Sequence, residues 1–244
     1  MVKVKICGTT NLEDALLAAE AGADFLGFIF YPPGKRSITP EAAQTITARL
    51  RQLDNCPVLV GVFVNETPER MAEIMAECQL DLAQLHGDEP PWLVGDERSP
   101  LYGRAFKALR PTSLIEAETD AEWYTRPGMG EAGGVQVLRN DRDSTHLPRP
   151  YTPSPALLID AYHPTLRGGT GETADWSMCA HLAQQIPGLM LAGGLTPDNV
   201  AEAVRVVRPY AVDVASGVES SPSRKDPALV RAFIANAKFV RRDP

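Results

Sequence analysis

No stretch of this sequence approaches the roughly 20 consecutive apolar residues that a bilayer-spanning helix needs, so no membrane partner is expected. The opening "MVKVKICG" lacks the apolar centre of a secretory signal. Basic charge is in deficit: 24 Lys and Arg stand against 31 Asp and Glu, a net charge of −7. That disfavours nucleic acid as a partner, which needs a basic footprint, but it leaves room for a local basic pocket that takes a small anion. Cysteine is sparse and widely spaced. Cys7, Cys56, Cys78 and Cys179 form no CxxC pair, which argues against a zinc site or a disulfide framework and suits a cytoplasmic location.

What is present is alternation. Strand-length apolar runs ("VKVKIC", "DFLGFIF", "PVLVGVFV", "DLAQLH", "RAFKAL", "ALLIDA", "LMLAG", "YAVDVAS") are separated by amphipathic segments. Asn11 reads as an N-cap for a helix patterned by Leu12, Leu16 and Leu17. "TPEAAQTITARL" has Thr39 as cap and Pro40 at the first helical position, and "TPERMAEIMAEC" and "TPDNVAEAVRVV" repeat that Thr-Pro-acid opening. "DPALVRAFIANAKFV" predicts a last helix. Eight such units across 244 residues predict a parallel α/β protein, a single-domain (β/α)8 TIM barrel over 1–244. A doubly wound open sheet is the alternative. The rhythm breaks at about 112–155, where "RPGMGEAGG", "RNDRDSTHLPRP" and "YTPSP" predict one short helix and a surface insertion between strands 5 and 6, with "GGVQVLRN" as a candidate extra strand.

In such a barrel, chemistry sits at the carboxyl ends of the strands. There the sequence offers Cys7 after strand one and Lys35 and Arg36 after strand two, with Lys35 expected to face solvent. It offers His86 after strand four, and Asp160 at the end of strand six followed by "RGGTG" with Gly169. "AGGLTPDN", with Gly193 and Gly194, and "ASGVESSP", with Ser216 and Gly217, follow the last two strands. Paired glycine-rich loops there let backbone N–H groups approach a phosphate. One rim histidine does not make a metal cluster, so no metal is expected.

Strand alternation puts Lys5 on the same face as Cys7. An interior ammonium needs a partner, and Asp213 on the neighbouring last strand is the expected one, forming a buried ion pair below Cys7. Lys3, nearer the bottom, is expected to reach solvent. Positive charge near Cys7 would increase its thiolate fraction. The other three cysteines are expected to be buried packing residues.

The motifs "KICG", "FYPPGKRSI", "VGVFVN", "QLHGDE", "LLIDA", "GGTG", "LAGGLTPDNV" and "DVASGVE" resemble, in order and spacing, the phosphoribosylanthranilate isomerase family over nearly the whole chain. The segment before strand six is the part that departs, being shorter in the family. The resemblance implies an Amadori rearrangement of a phosphosugar, aminoaldose to aminoketose, in tryptophan biosynthesis. Cys7 matches the general base and Asp160 the general acid. Arg36 would face the anthranilate carboxylate and His86 would line the anthranilate end. Gly169, Gly193, Gly194, Ser216 and Gly217 would lie on the phosphate side. The substrate's own protonated imine is the electron sink, so no cofactor is implied. An acid working near neutrality needs a raised pKa, which predicts an apolar surround for Asp160 and no direct cationic partner. Monomer and homodimer both stay open. The rivals are the histidine-pathway isomerase, whose Asp/Asp pair fits Cys7 poorly, and a catalytically idle barrel.

Overall fold

A computed structural model describes residues 1–125, 155–160 and 176–240. Gly169, the remainder of the expected insertion and its candidate extra strand lie outside them. Eight parallel strands close into a barrel in chain order: β1 (Lys3–Cys7), β2 (Phe25–Phe30), β3 (Val58–Phe63), β4 (Leu82–Leu85), β5 (Ala105–Leu109), β6 (Leu157–Asp160), β7 (Leu189–Ala192) and β8 (Ala211–Val214). Closure comes from β1 pairing with β8, in a register that sets Lys5 opposite Asp213. The open-sheet alternative is therefore excluded.

The period-two pattern sorts side chains into two cores. Phe25, Val60, Leu82, Phe106, Leu158 and Met190 fill the barrel interior. Their neighbours Val4, Ile6, Leu26, Phe28, Leu59 and Phe63 point outward and pack against the helices. These are α1 (Leu12–Glu20), α2 (Pro40–Leu50), α3 (Pro68–Glu77), α4 (Trp92–Gly95), α5 (Leu114–Thr125), α6 (Trp176–Gln185), α7 (Val200–Val207) and α8 (Pro227–Lys238). None of these is long and apolar enough to cross a membrane.

Local chemistry starts the helices. Asn11 Oδ1 accepts from Asp14 N–H at 2.9 Å, and Thr39 and Thr67 Oγ1 accept from Ala42 and Arg70 N–H at 3.3 Å, each with a proline next in the chain. The third Thr-Pro-acid segment behaves differently. Thr196 does not cap a helix; its N–H donates to Asn199 Oδ1 at 2.8 Å and its carbonyl accepts from Val200 N–H at 3.0 Å, so α7 starts four residues later. The one helix expected within 112–155 is present as α5, from Leu114 to Thr125. One element has no counterpart in the sequence reading: after β8 a 3₁₀ turn (Ser216–Val218) leads into an antiparallel hairpin, β9 (Glu219–Ser221) and β10 (Arg224–Lys225).

Candidate active site

Strand parity directs Lys5 and Cys7 into the barrel, both buried. Lys5 Nζ lies 3.0 Å from Asp213 Oδ1, the expected interior pair. Gly27 on β2 leaves room for them. A Cβ there would stand 2.7 Å from Cys7 Sγ and 3.1 Å from Lys5 Nζ, so a larger residue would displace the thiol. Lys3, one layer down, is 40% exposed and pairs with Asp24 at 2.8 Å, as its position near solvent predicts.

The charge below Cys7 does not have the expected net result. Burial pushes the thiol above its ordinary pKa, the Asp213 carboxylate adds to that, and the opposing pull of Lys5 and Lys225 does not offset it. Lys5 remains charged: burial alone would lower its pKa, but Asp213 and Cys7 hold it above the ordinary value. Cys78 and Cys179 are buried away from the site, while Cys56 is only half-buried, its sulfur 3.6 Å from Arg51 Nη1.

Asp160 ends β6 with its side chain 23% exposed at the barrel mouth. Burial raises its pKa and Asp213 raises it further. The expectation of no cationic neighbour fails, because Arg110, just past β5, brings Nε to 3.9 Å of Asp160 Oδ2. Arg110 is 57% exposed, so water screens its pull and the net shift stays upward. His86 faces the same carboxyl, Nε2 3.8 Å from Asp160 Oδ2, and its Nδ1 is 2.8 Å from Gln84 Nε2. Burial first, then Arg110, Lys5 and Lys107, drive its pKa down to about 3, so the ring is neutral.

Arg36 is held more tightly than a free loop arginine. Its Nε and Nη2 donate to the two carboxylate oxygens of Glu219 at 2.7 and 2.6 Å. This side-on fork leaves the Nη1/Nη2 end of the guanidinium facing away from Glu219. The side chain lies across β1's end, where Gly8, at φ +73°, has no Cβ; one would meet Arg36 Cδ at 2.5 Å. Glu219 is itself anchored by Lys225. The Lys225 side chain is fully buried, and its Nζ donates to Glu219 Oε1 at 3.0 Å, Cys7 O at 2.7 Å and Ala215 O at 2.9 Å. The hairpin therefore fastens the ends of β1 and β8 and orients Arg36. Its tip reaches across to the β2–α2 loop, where Ser223 Oγ donates to the carbonyl of Lys35, whose side chain is exposed. Lys225 and Arg110 lie outside every motif quoted above, whereas Glu219 and Gln84 stand within "DVASGVE" and "QLHGDE" with no role assigned to them there.

The glycine-rich loops after β7 and β8 meet at the same rim. Gly193 and Gly194 have φ of +97° and +63°, the left-handed region glycine favours. A Cβ on Gly217 would fall 1.9 Å from Leu195 O, so only glycine allows the two loops this contact.

Comparison with known proteins agrees with the barrel fold. The family model described as N-(5'-phosphoribosyl)anthranilate (PRA) isomerase matches residues 4–123 and 136–236, and its interruption is shorter than the 112–155 stretch expected to depart. The N-(5'-phosphoribosyl)anthranilate isomerase of Trichlorobacter lovleyi is 44% identical over 238 residues, covering 98% of each chain. The crystal structure of phosphoribosyl anthranilate isomerase from Thermotoga maritima aligns with a TM-score of 0.75 at 37% identity, over 98% of this chain and 99% of that one. A phosphoribosyl anthranilate isomerase in complex with reduced 1-(o-carboxyphenylamino)-1-deoxyribulose 5-phosphate aligns at 0.72 and 36% identity, with the same coverage. Matched along its full barrel by family model, relatives and solved structures alike, this chain belongs to the N-(5'-phosphoribosyl)anthranilate isomerase family.

Proposed function

We propose that this chain converts N-(5'-phosphoribosyl)anthranilate to 1-(2-carboxyphenylamino)-1-deoxyribulose 5-phosphate, a step of tryptophan biosynthesis, with Asp160 as general acid and Cys7 as general base. Asp160 gives its proton to the ring oxygen, the C1–O bond breaks, and the anilino nitrogen's lone pair forms the protonated imine. Cys7 thiolate takes the C2 proton, and the C2–H electrons move to the imine nitrogen through a new C1–C2 double bond. The enolamine then gains a proton at C1 as its 2-hydroxyl loses one, giving the ketone.

One observation carries this reading. Cys7 and Asp160 end non-adjacent strands, β1 and β6, face the same interior, and both lie within the electrostatic reach of the Asp213 carboxylate. The raised pKa of Asp160 supports the acid role, since a carboxyl of ordinary pKa would hold almost no proton at neutrality. The end of the Arg36 guanidinium that Glu219 leaves free suits the anthranilate carboxylate as a second, end-on fork. The loops containing Gly193, Gly194, Ser216 and Gly217 suit the phosphate, through close backbone approach. The substrate is a small phosphosugar, and nothing in the chemistry requires a cofactor.

The test follows the loss of anthranilate fluorescence on incubation with phosphoribosylanthranilate. Cys7→Ser and Asp160→Asn should each lower turnover by about 10²-fold or more, in keeping with loss of a general acid or base. Wild-type rates in both variants would overturn the assignment.

A further inference from the structure

We propose that Gln84 is a positioning residue that fixes the tautomer of His86, so that its Nε2–H faces the Asp160 carboxyl. The inference rests on the acid role given to Asp160 and deepens it.

Register on β4 directs Gln84 inward, where it is 1% exposed. Its carboxamide nitrogen lies 2.8 Å from His86 Nδ1. With the carboxamide in this orientation the nitrogen donates and Nδ1 presents its lone pair. The ring is neutral and carries one proton, which therefore sits on Nε2. Charge points the same way. Lys107 and Arg110 from β5 and its end, and Lys5 from β1, all oppose a protonated ring, whereas Asp160 from β6 lies 3.8 Å from Nε2. A lone pair aimed at that oxygen would be repelled; an N–H is attracted. At 3.8 Å the contact is too long for a hydrogen bond, so the donor is held ready rather than committed. Once Asp160 has given up its proton, the new carboxylate can draw on this donor. A neutral N–H supports the anion without the strong depression of its pKa that an imidazolium would impose.

The same carboxamide orientation has a second consequence. Gln84 Oε1 is buried and has no hydrogen-bond partner among the described residues. A buried orphan carbonyl costs stability, so an apolar residue of similar size should fold at least as well. Gln84 is thus a poor choice for the core and a good one for orienting His86.

The experiment combines ¹⁵N-histidine NMR of the whole protein with kinetics. The His86 resonances, assigned by their loss in His86→Asn, should show a protonated Nε2 and a bare Nδ1. Gln84→Leu should lose that single tautomer, lower kcat about tenfold with KM within twofold of wild type, and leave Tm no lower. Gln84→Glu offers Nδ1 an acceptor and should invert the tautomer. A protonated Nδ1 in the wild-type protein, or an unchanged tautomer and kcat in Gln84→Leu, would overturn the proposal. The wild-type spectrum decides the tautomer even if a variant fails to fold. Full activity of Asp160→Asn would refute the acid role separately, leaving the tautomer measurement to stand on its own.

Discussion

The Lys5–Asp213 pair should produce two single variants that agree in stability and oppose each other in thiol chemistry. Asp213→Asn leaves a fully buried ammonium without its carboxylate. Breaking a buried pair by removing one partner costs about 3–5 kcal/mol. The Asp213 side chain keeps 10% exposure, and Cys7 beside Lys5 can supply part of the missing negative charge, so the lower end applies, about 3 kcal/mol. For a chain of this size that is a fall in Tm of roughly 6–12 °C. Lys5→Met should cost a similar amount. The double variant Lys5→Met/Asp213→Leu replaces the pair with apolar packing and should recover most of the loss, because the pair as a whole contributes little net stability. The thiol separates the singles. Asp213 raises the Cys7 pKa and Lys5 lowers it. Iodoacetamide alkylation at pH 7, read on the Cys7 peptide by mass spectrometry, should therefore speed up in Asp213→Asn and slow down in Lys5→Met. Following the peptide keeps half-buried Cys56 from confusing the result. A double variant less stable than either single, or alkylation rates moving in the same direction, would refute the reasoning.

Other perturbations test separate parts of the site. Glu219→Gln keeps the shape but halves the charge-assisted fork on Arg36, so KM should rise about 3- to 30-fold with kcat changed less, measured in steady-state fluorescence assays. Gly27→Ala puts a methyl 2.7 Å from Cys7 Sγ, and overpacking of this kind costs about 1–3 kcal/mol, visible as lower Tm together with reduced turnover. Asp160→Asn should stabilise the fold near neutrality. The folded pKa of Asp160 is raised, so the wild type bears no penalty when the carboxyl is protonated in both states, and loses stability as pH rises from the unfolded pKa through the folded one. The Tm advantage of the variant should therefore be absent near pH 3 and fully present above the carboxyl range.

The eight strands were legible because each is a strand-length, predominantly apolar run, broken in β1, β4, β5 and β8 by single polar residues, and a parallel barrel buries both faces of every strand. The interior pair was legible for a different reason. Lys5 shares a face with Cys7, and an ammonium placed inside a barrel restricts where its carboxylate can be. Lys225 was not legible, since it sits in "SRKD", a charged stretch that reads as surface. Only the bulge-bearing hairpin turns it inward, onto the carbonyls of Cys7 and Ala215. Thr196 misled for a related reason. Its Thr-Pro-Asp matches two true caps, but here the chain makes one turn first, tied by Asn199 Oδ1 accepting from Thr196 N–H, and α7 begins only at Val200. The raised pKa of Cys7 is not legible in the sequence, because a positive neighbour can be read from strand parity, whereas the desolvation that outweighs it depends on how fully Gly27 and the rim enclose the sulfur.

That desolvation shapes the pH dependence of catalysis. With Cys7 as base and Asp160 as acid, the productive state is thiolate with protonated carboxyl. Burial raises both pKa values, which helps the acid and hinders the base. The thiol still titrates above the carboxyl, so the productive state is a minority one at every pH. Its population rises with pH as the thiol ionises, until the carboxyl titrates; it is then flat, and falls once the thiol has ionised. The low-pH break in kcat/KM therefore belongs to Asp160 and the high-pH break to Cys7, the reverse of the usual base-then-acid assignment. Arg110 can decide this. It lowers the Asp160 pKa and is not among the largest influences on Cys7, so Arg110→Met should move the low-pH break upward and shift the high-pH break far less. A shift confined to the high-pH break would mean that the carboxyl titrates after the thiol, and the site would then run on its majority state.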